Sequence, residues 1–270
     1  MINRQRVWAV VRKDWLEVAR NKQVLSSLIV VPVIFAVVMP AAIILLGDND
    51  VLMSTVNGLQ AFLDNLPAGI VPPDLTVGQT IVYAVTVYFL APFFLVIPVM
   101  VASITASSSF VGEKERHTIE GLLYTPLTNR ELVLGKVLGS VIPAVGLTWV
   151  SFIAYALIVG GLGSRVVGRV YFPTLSWVVM ILVVVPLVGF LATSLIVAVS
   201  GRSTTMQGAQ GTSMLIVFPI LALVIGQATG LMIFDVPVVL VAAAVLAVLD
   251  VAAFVLVVAR FDRERILTRL

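Results

Sequence analysis

The chain has 270 residues, 60% of them hydrophobic and 11% charged, with a formal net charge of +3 and a mean hydropathy of +1.12. Soluble domains carry roughly 45–50% apolar and about 25% charged residues, so a water-soluble globule is excluded. So are collagen, because the 19 glycines follow no triplet period, and disorder, which requires few apolar residues. With no cysteine and a single histidine, His117, disulfides, thiol nucleophiles and an ordinary zinc site drop out. The expected class is an all-α polytopic membrane protein, with residues 1–270 forming one transmembrane domain.

Residues 4–22 place Val7, Trp8, Val11, Trp15, Val18 and Ala19 at helical spacing between Arg4, Arg12, Lys13, Asp14, Glu17 and Arg20. That pattern is an amphipathic helix too charged to insert, lying along a membrane surface, either as a topological anchor or with a mechanical role. A span of about 20 apolar residues crosses a bilayer core. Six such runs follow, at 24–46, 81–109, 133–160, 176–199, 208–232 and 237–259. The first lacks a small-x-small cleavage signature after it and reads as a retained helix. Prolines inside the others are tolerable because neighbouring helices re-satisfy the freed carbonyls. Residues 47–79 form an external loop with a short amphipathic segment, read as a cap over the bundle or a ligand site.

The connection after the second span, 113–125, places Ile119, Leu122 and Leu123 on one face and Glu113, Arg116, His117 and Glu120 on the rest. Pro126 ends this short helix. Thr128 and Glu131 then match a capping box that starts the next one. A short helix is thereby mounted between two spans, a position suited to transmitting force or docking a partner. Of the 17 Lys and Arg residues, fifteen fall on this side of the membrane, and Arg165 and Arg169 fall opposite. The positive-inside rule assigns this side, and both termini, to the cytoplasm. The charge asymmetry reports topology, not nucleic-acid binding.

The run from Glu113 to Glu120, followed by Leu122-Leu123-Tyr124-Thr125-Pro126 and by Glu131, Gly135 and Lys136, resembles the signature of ABC-2 type permeases. Residues 13–22 are similar to that family's elbow helix. The resemblance implies a half-transporter that pairs with a second permease subunit, as homodimer or paralogous heterodimer, and with two cytoplasmic ABC ATPase subunits. It makes 4–22 the elbow helix, with Trp8, Val11 and Trp15 on it, and 113–125 the coupling helix, with Glu113, Lys114, Glu115, Arg116, His117, Thr118 and Glu120 presented to the ATPase. The implied cargo is an exported amphipathic small molecule, drug, lipid or glycan, and the expected location is a prokaryotic plasma membrane. The chain itself is expected to be no enzyme and to hold no cofactor or metal. A P-loop needs G-x-x-x-x-G-K-[ST], whereas ahead of Gly135-Lys136 stands Arg130 for the first glycine, and Val137 replaces the hydroxyl. ATP and Mg are therefore expected on the partner.

Inside the spans, Asp250 is the one ionisable residue at depth and must face protein or water. It reads as a cation or substrate contact or as a structural aspartate. Tyr83, Thr86, Ser103, Thr105 and Ser107 on the second span, with Gln207, Gln210, Thr212 and Ser213 on the fifth, are candidates for a translocation path, because the resemblance places these helices at the dimer centre. Helix packing is their alternative role. Trp8, Trp15, Trp149 and Trp177 read as interfacial anchors. A secondary transporter or channel would bury paired charges at mid-membrane. An intramembrane enzyme would need a second catalytic group near Asp250. Neither pattern is visible.

Overall fold

The computed structural model describes residues 3–46, 59–64, 66, 69–115, 127–200, 205–229 and 231–260, and all its regular structure is helical. Helix α1 (Arg4–Arg20) starts where the Asn3 side chain accepts from the Gln5 amide at 3.0 Å, an N-cap that satisfies one free donor of the first turn. Then follow α2 (Val24–Leu46), the short α3 (Leu59–Asp64), α4 (Val77–Glu113), α5 (Arg130–Val167), α6 (Leu175–Ala198), α7 (Gln207–Ala228) and α8 (Val236–Val257). Six of these are long and apolar enough to cross a membrane, which makes the chain a multi-pass membrane protein.

Local chemistry sets the ends. Thr76 and Gln79 form a capping box, at 3.3 and 3.0 Å, that starts α4 ahead of the expected span at 81–109. The expected box at Thr128 and Glu131 forms at the head of α5, at 3.3 and 2.9 Å. Gly168, at φ 82°, closes α5 in the left-handed conformation that glycine adopts without strain.

α4 is the most enclosed span and packs against α5, α6 and α7, while α8 leans chiefly on α6. Each of the first four spans contains one π-helical turn: Ile34–Val38, Val85–Phe89, Val159–Gly163 and Met180–Val184. A π turn loosens the regular ladder and leaves carbonyls able to take outside donors. In α4 three successive carbonyls do so. Thr86 O accepts from Tyr155 OH of α5 at 2.6 Å, Val87 O from Trp177 Nε1 of α6 at 2.7 Å, and Tyr88 O from Gln227 Nε2 of α7 at 3.1 Å. Around this knot the rings of Phe94, Tyr155, Phe172 and Trp177 pack with centroids 4.8–5.6 Å apart. Phe62 of α3 is buried with its ring 5.2 Å from Phe89, so the short helix rests on the same end of the bundle.

Trp177 corrects the expectation of an interfacial anchor: it is fully buried, because its indole N–H is the donor that the loosened turn requires. Trp149 is partly exposed, yet its N–H is likewise spent on a π-turn carbonyl, Ile181 O, at 3.0 Å. Trp177→Phe keeps an aromatic ring but orphans the Val87 carbonyl. It is expected to cost about 1–3 kcal/mol in SDS-titration unfolding, and an unchanged midpoint would show that the knot contributes nothing to stability.

Candidate functional site

The densest polar chemistry lies at the basic end of the bundle, where α1 crosses α5. Val7, Val10, Val11 and Asp14 form the buried face of α1. The helices approach closely because α5 offers glycines there. A Cβ on Gly135 would stand 2.8 Å from Val10 Cβ, and one on Gly139 would stand 3.2 Å from Asp14 Oδ2. Trp15 Nε1 donates to Gly139 O at 3.1 Å. Trp8 and Trp15 meet edge to face at 5.9 Å on the outward side. The expected stripe is thus divided between two faces, Val7 and Val11 against α5 and the tryptophans outward. Asp14, expected on the solvated face, is buried instead.

Beneath that crossing lies a closed network of charges. The Lys136 side chain, on α5, is 1% exposed, and its ammonium donates to Ser109 O at 2.6 Å, Ser109 Oγ at 3.0 Å and Glu113 Oε2 at 2.7 Å. All three of its protons are used, and the Phe110 ring lies 5.0 Å beyond. Ser109 passes its own proton to Asp14 Oδ2 at 2.6 Å. The second oxygen of Glu113 is held by Lys13, which also reaches Glu17 at 3.1 Å and Asp14 at 3.5 Å. Three carboxylates, Asp14, Glu17 and Glu113, come within 4.8 Å of one another. The Lys13 ammonium sits among them and supplies the countercharge that a cation would.

The electrostatics follow this packing. Burial raises the pKa of Asp14, against the opposing pull of Lys136 and the Ser109 hydroxyl. Burial would lower the pKa of Lys13, but Glu113, with help from Asp14 and Glu17, outweighs it and holds the ammonium above its ordinary range. Glu131 adds a second tie. It caps the head of α5, accepts the Asn3 amide at 2.8 Å and lies 3.9 Å from Arg6, so one carboxylate ties the start of α5 to the start of α1.

The expected coupling residues divide. Glu113 belongs to the interior network, which corrects its expected place on an exposed docking face: Lys136 and Lys13 turn it inward. The backbone of Lys114 and Glu115 continues the helix, while their side chains lie outside the described residues. So do Arg116, His117, Thr118 and Glu120 altogether. The chain enters and leaves that connection at Glu113 and Lys136, which are joined.

The path candidates do not form one lining. The hydroxyls of Thr86, Ser103, Thr105 and Ser107 are buried and turned back onto carbonyls of their own helix, Val82, Val99, Val101 and Ser103, at 2.6, 2.5, 2.8 and 2.7 Å. Tyr83 stacks obliquely with Tyr171 and Tyr88, at 5.2 and 6.3 Å. Gln207 is exposed, Gln210 donates to Ser107 Oγ at 3.1 Å, and the side chains of Thr212 and Ser213 lie outside the described residues. Asp250 is buried, and neither carboxyl oxygen has a hydrogen-bond partner among the described residues. Sequence reasoning gave no role to Ser109 or Gln227. The signal for Ser109 was its place one helical turn before Glu113. Gln227 carried none, since an amide near a span end reads as ordinary interface.

Glu113, Glu131, Gly135 and Lys136, on which the resemblance to ABC-2 permeases rests, thus meet in one clamp that ties α1, α4 and α5 together. The family model described as ABC-2 family transporter protein matches residues 8–239. The chain belongs to the ABC-2 transporter family. No curated protein matches it. As an ABC-2 permease it is a membrane component of transport and not itself an ATPase. Residues Arg4–Arg20, within the stretch that the resemblance implied to be an elbow, form the helix α1, and the glycine and lysine of the signature acquire separate physical reasons: the first admits Val10, and the second neutralises Glu113.

Removing one member of a buried ion pair strands the other. Lys136→Met is expected to destabilise the permease by about 3–5 kcal/mol. Glu113→Leu combined with Lys136→Met removes both charges and is expected to recover most of that loss. SDS-titration unfolding of the single and double variants checks this, and a double variant as unstable as the single would contradict it.

Proposed function

We propose that this ABC-2 permease is the membrane half of an ATP-driven exporter, in which two cytoplasmic ATPase subunits drive two permease subunits, identical or paralogous, through residues 113–125. The basic end, both termini included, faces the cytoplasm. The partner binds ATP and Mg²⁺, and the chain holds no P-loop of its own, since Arg130 and Val137 stand where glycine and a hydroxyl are required. The cargo is amphipathic, a drug, lipid or glycan, in keeping with span surfaces that carry almost no charge.

The observation that carries this reading is the clamp. A docking segment transmits force only if its mounts do not yield. Here the mounts are the end of α4 and the head of α5, tied by the Lys136–Glu113 pair at 2.7 Å and braced by α1 through Lys13, Asp14 and Glu131. Force that reaches the end of α4 or the head of α5 is therefore received by α1, α4 and α5 as one body. The Trp8–Trp15 pair and Leu16 project outward from α1, so the same body rests in the headgroup layer.

The test separates stability from coupling. Glu113→Leu combined with Lys136→Met assembles with its ATPase in proteoliposomes, because it removes both charges of the pair and leaves Asp14 held by Lys13 and the Ser109 hydroxyl. Transport per ATP hydrolysed is expected to fall roughly tenfold, the factor that about 1.4 kcal/mol of coupling represents. A ratio equal to that of the parent assembly would remove the clamp from the mechanism.

A further inference from the structure

The geometry points to Gln210 and Gln227 as two latches, one at each end of the seam between α7 and α4, that release alternately as the path opens to one side and then the other. The inference rests on the reading of this chain as an ATP-driven permease whose path follows those helices. Among the described side chains, the hydrogen bonds that join α7 to α4 are these two. Gln210 Nε2 donates to Ser107 Oγ at 3.1 Å at the basic end. Gln227 Nε2 donates to Tyr88 O at 3.1 Å at the far end. The glutamines are about 25 Å apart along α7, at 1.5 Å per residue, so each controls one mouth and neither reaches the other.

Between these two bonds the described side chains of α7 make no further hydrogen bond to α4, and the buried large side chains among them, Ile216 and Ile220, are spaced with Gln227 on one face of the helix. Such a surface parts and re-forms without exchanging hydrogen bonds, leaving the amides to decide which end is closed. Both amides are built for release. Ser107 is buried and already committed as a donor to Ser103 O at 2.7 Å, so it binds Gln210 only as an acceptor, and the half-buried Gln210 amide is the side of this bond that water can reach. Gln227 is 2% exposed, and its Oε1 atom has no partner among the described residues. Its latch is a single bond beside an unmet acceptor, which water entering the far mouth would satisfy. Tyr88, the partner, is fixed within the π turn that α5 and α6 hold through Tyr155 and Trp177, so α7 is the element that moves.

The chain contains no cysteine, so Ile220→Cys provides a single reporter of water entry into the seam. The full-length protein is kept in its native membrane, as vesicles of both orientations, and a membrane-impermeant thiol reagent is added without nucleotide. Gln227→Met is expected to raise labelling from the far side roughly fivefold, the factor that one ordinary hydrogen bond represents, and to leave labelling from the basic side unchanged. Gln210→Met is expected to do the reverse, and the double variant to label from both sides. Thr193→Val removes a buried hydrogen bond on α6 and is expected to change neither rate. Where Gln227→Met fails to insert, Gln227→Glu serves. Compared with the reporter alone at each pH, it labels faster from the far side when ionised and returns to the parent rate when protonated and able to donate. Equal acceleration from both sides, no acceleration, or the same effect from Thr193→Val would overturn the proposal. Nucleotide dependence is measured separately with both glutamines intact. Side-specific latches together with a labelling pattern indifferent to nucleotide would leave this inference standing and sink the ATP-driven reading.

Discussion

An ammonium group with almost no exposure has to find all its partners inside the protein, and Lys136 finds them on a single turn of α4. Charges removed from water cost several kcal/mol each unless geometry and hydrogen bonds restore what hydration gave. That constraint ripples outward. Glu113 must point inward to meet Lys136, its other oxygen then needs Lys13, and Lys13 brings α1 across α5. The crossing in turn requires glycine at 135, where any larger residue would hold Val10 away, and leaves little room beside Asp14 at 139. The position of the surface helix is therefore a consequence of where one lysine is buried.

The two ends of the bundle solve the problem of fixing helices in different chemistry. At the basic end ionic groups are closed into a network. At the far end neutral donors meet carbonyls released by a π turn, with Tyr155 and Trp177 sealed among aromatic rings. Between these knots most contacts are apolar, and apolar contacts inside a bilayer have no hydrophobic drive of their own, since lipid tails are as apolar as the side chains they would replace. A helix joined to its neighbour mainly by such contacts, as α7 is to α4, moves more readily than one locked at the knots. The arrangement combines a basic end tied by ionic groups with a seam held mainly by apolar contact.

The spans were legible because a long run of Val, Leu, Ile and Ala without charge has one stable environment, and the box at Thr128 and Glu131 was legible because both partners lie within one helical turn. The ends of α4 and α5 extend beyond the expected spans because caps and a left-handed glycine, rather than hydropathy, terminate a helix. Asp14, Glu113 and Trp177 were misplaced for a common reason. Each is polar or amphipathic and reads as exposed until a partner far along the chain is brought to it: Ser109 for Asp14, Lys136 for Glu113, and the Val87 carbonyl for Trp177. No local pattern encodes such pairs. The π turns were equally invisible, since they arise from tertiary packing and not from residue type. Lys136 and Gly135 stood in the family signature, but only the crossing of α1 supplies the reason for a glycine beside a lysine.

Membership of the ABC-2 family makes the chain a membrane transport component, and the clamp suggests how such a component receives work from a partner: through the joined ends of α4 and α5, stiffened by α1. The most direct measurement of that claim is the distance between spin labels on Arg12→Cys in α1 and Arg130→Cys in α5, both exposed positions in a chain with no native cysteine. In the assembled transporter the account predicts the same narrow distance distribution with and without nucleotide, and a broadened one when Lys136→Met is added. A distance that shifts with nucleotide while Lys136 is intact would contradict it.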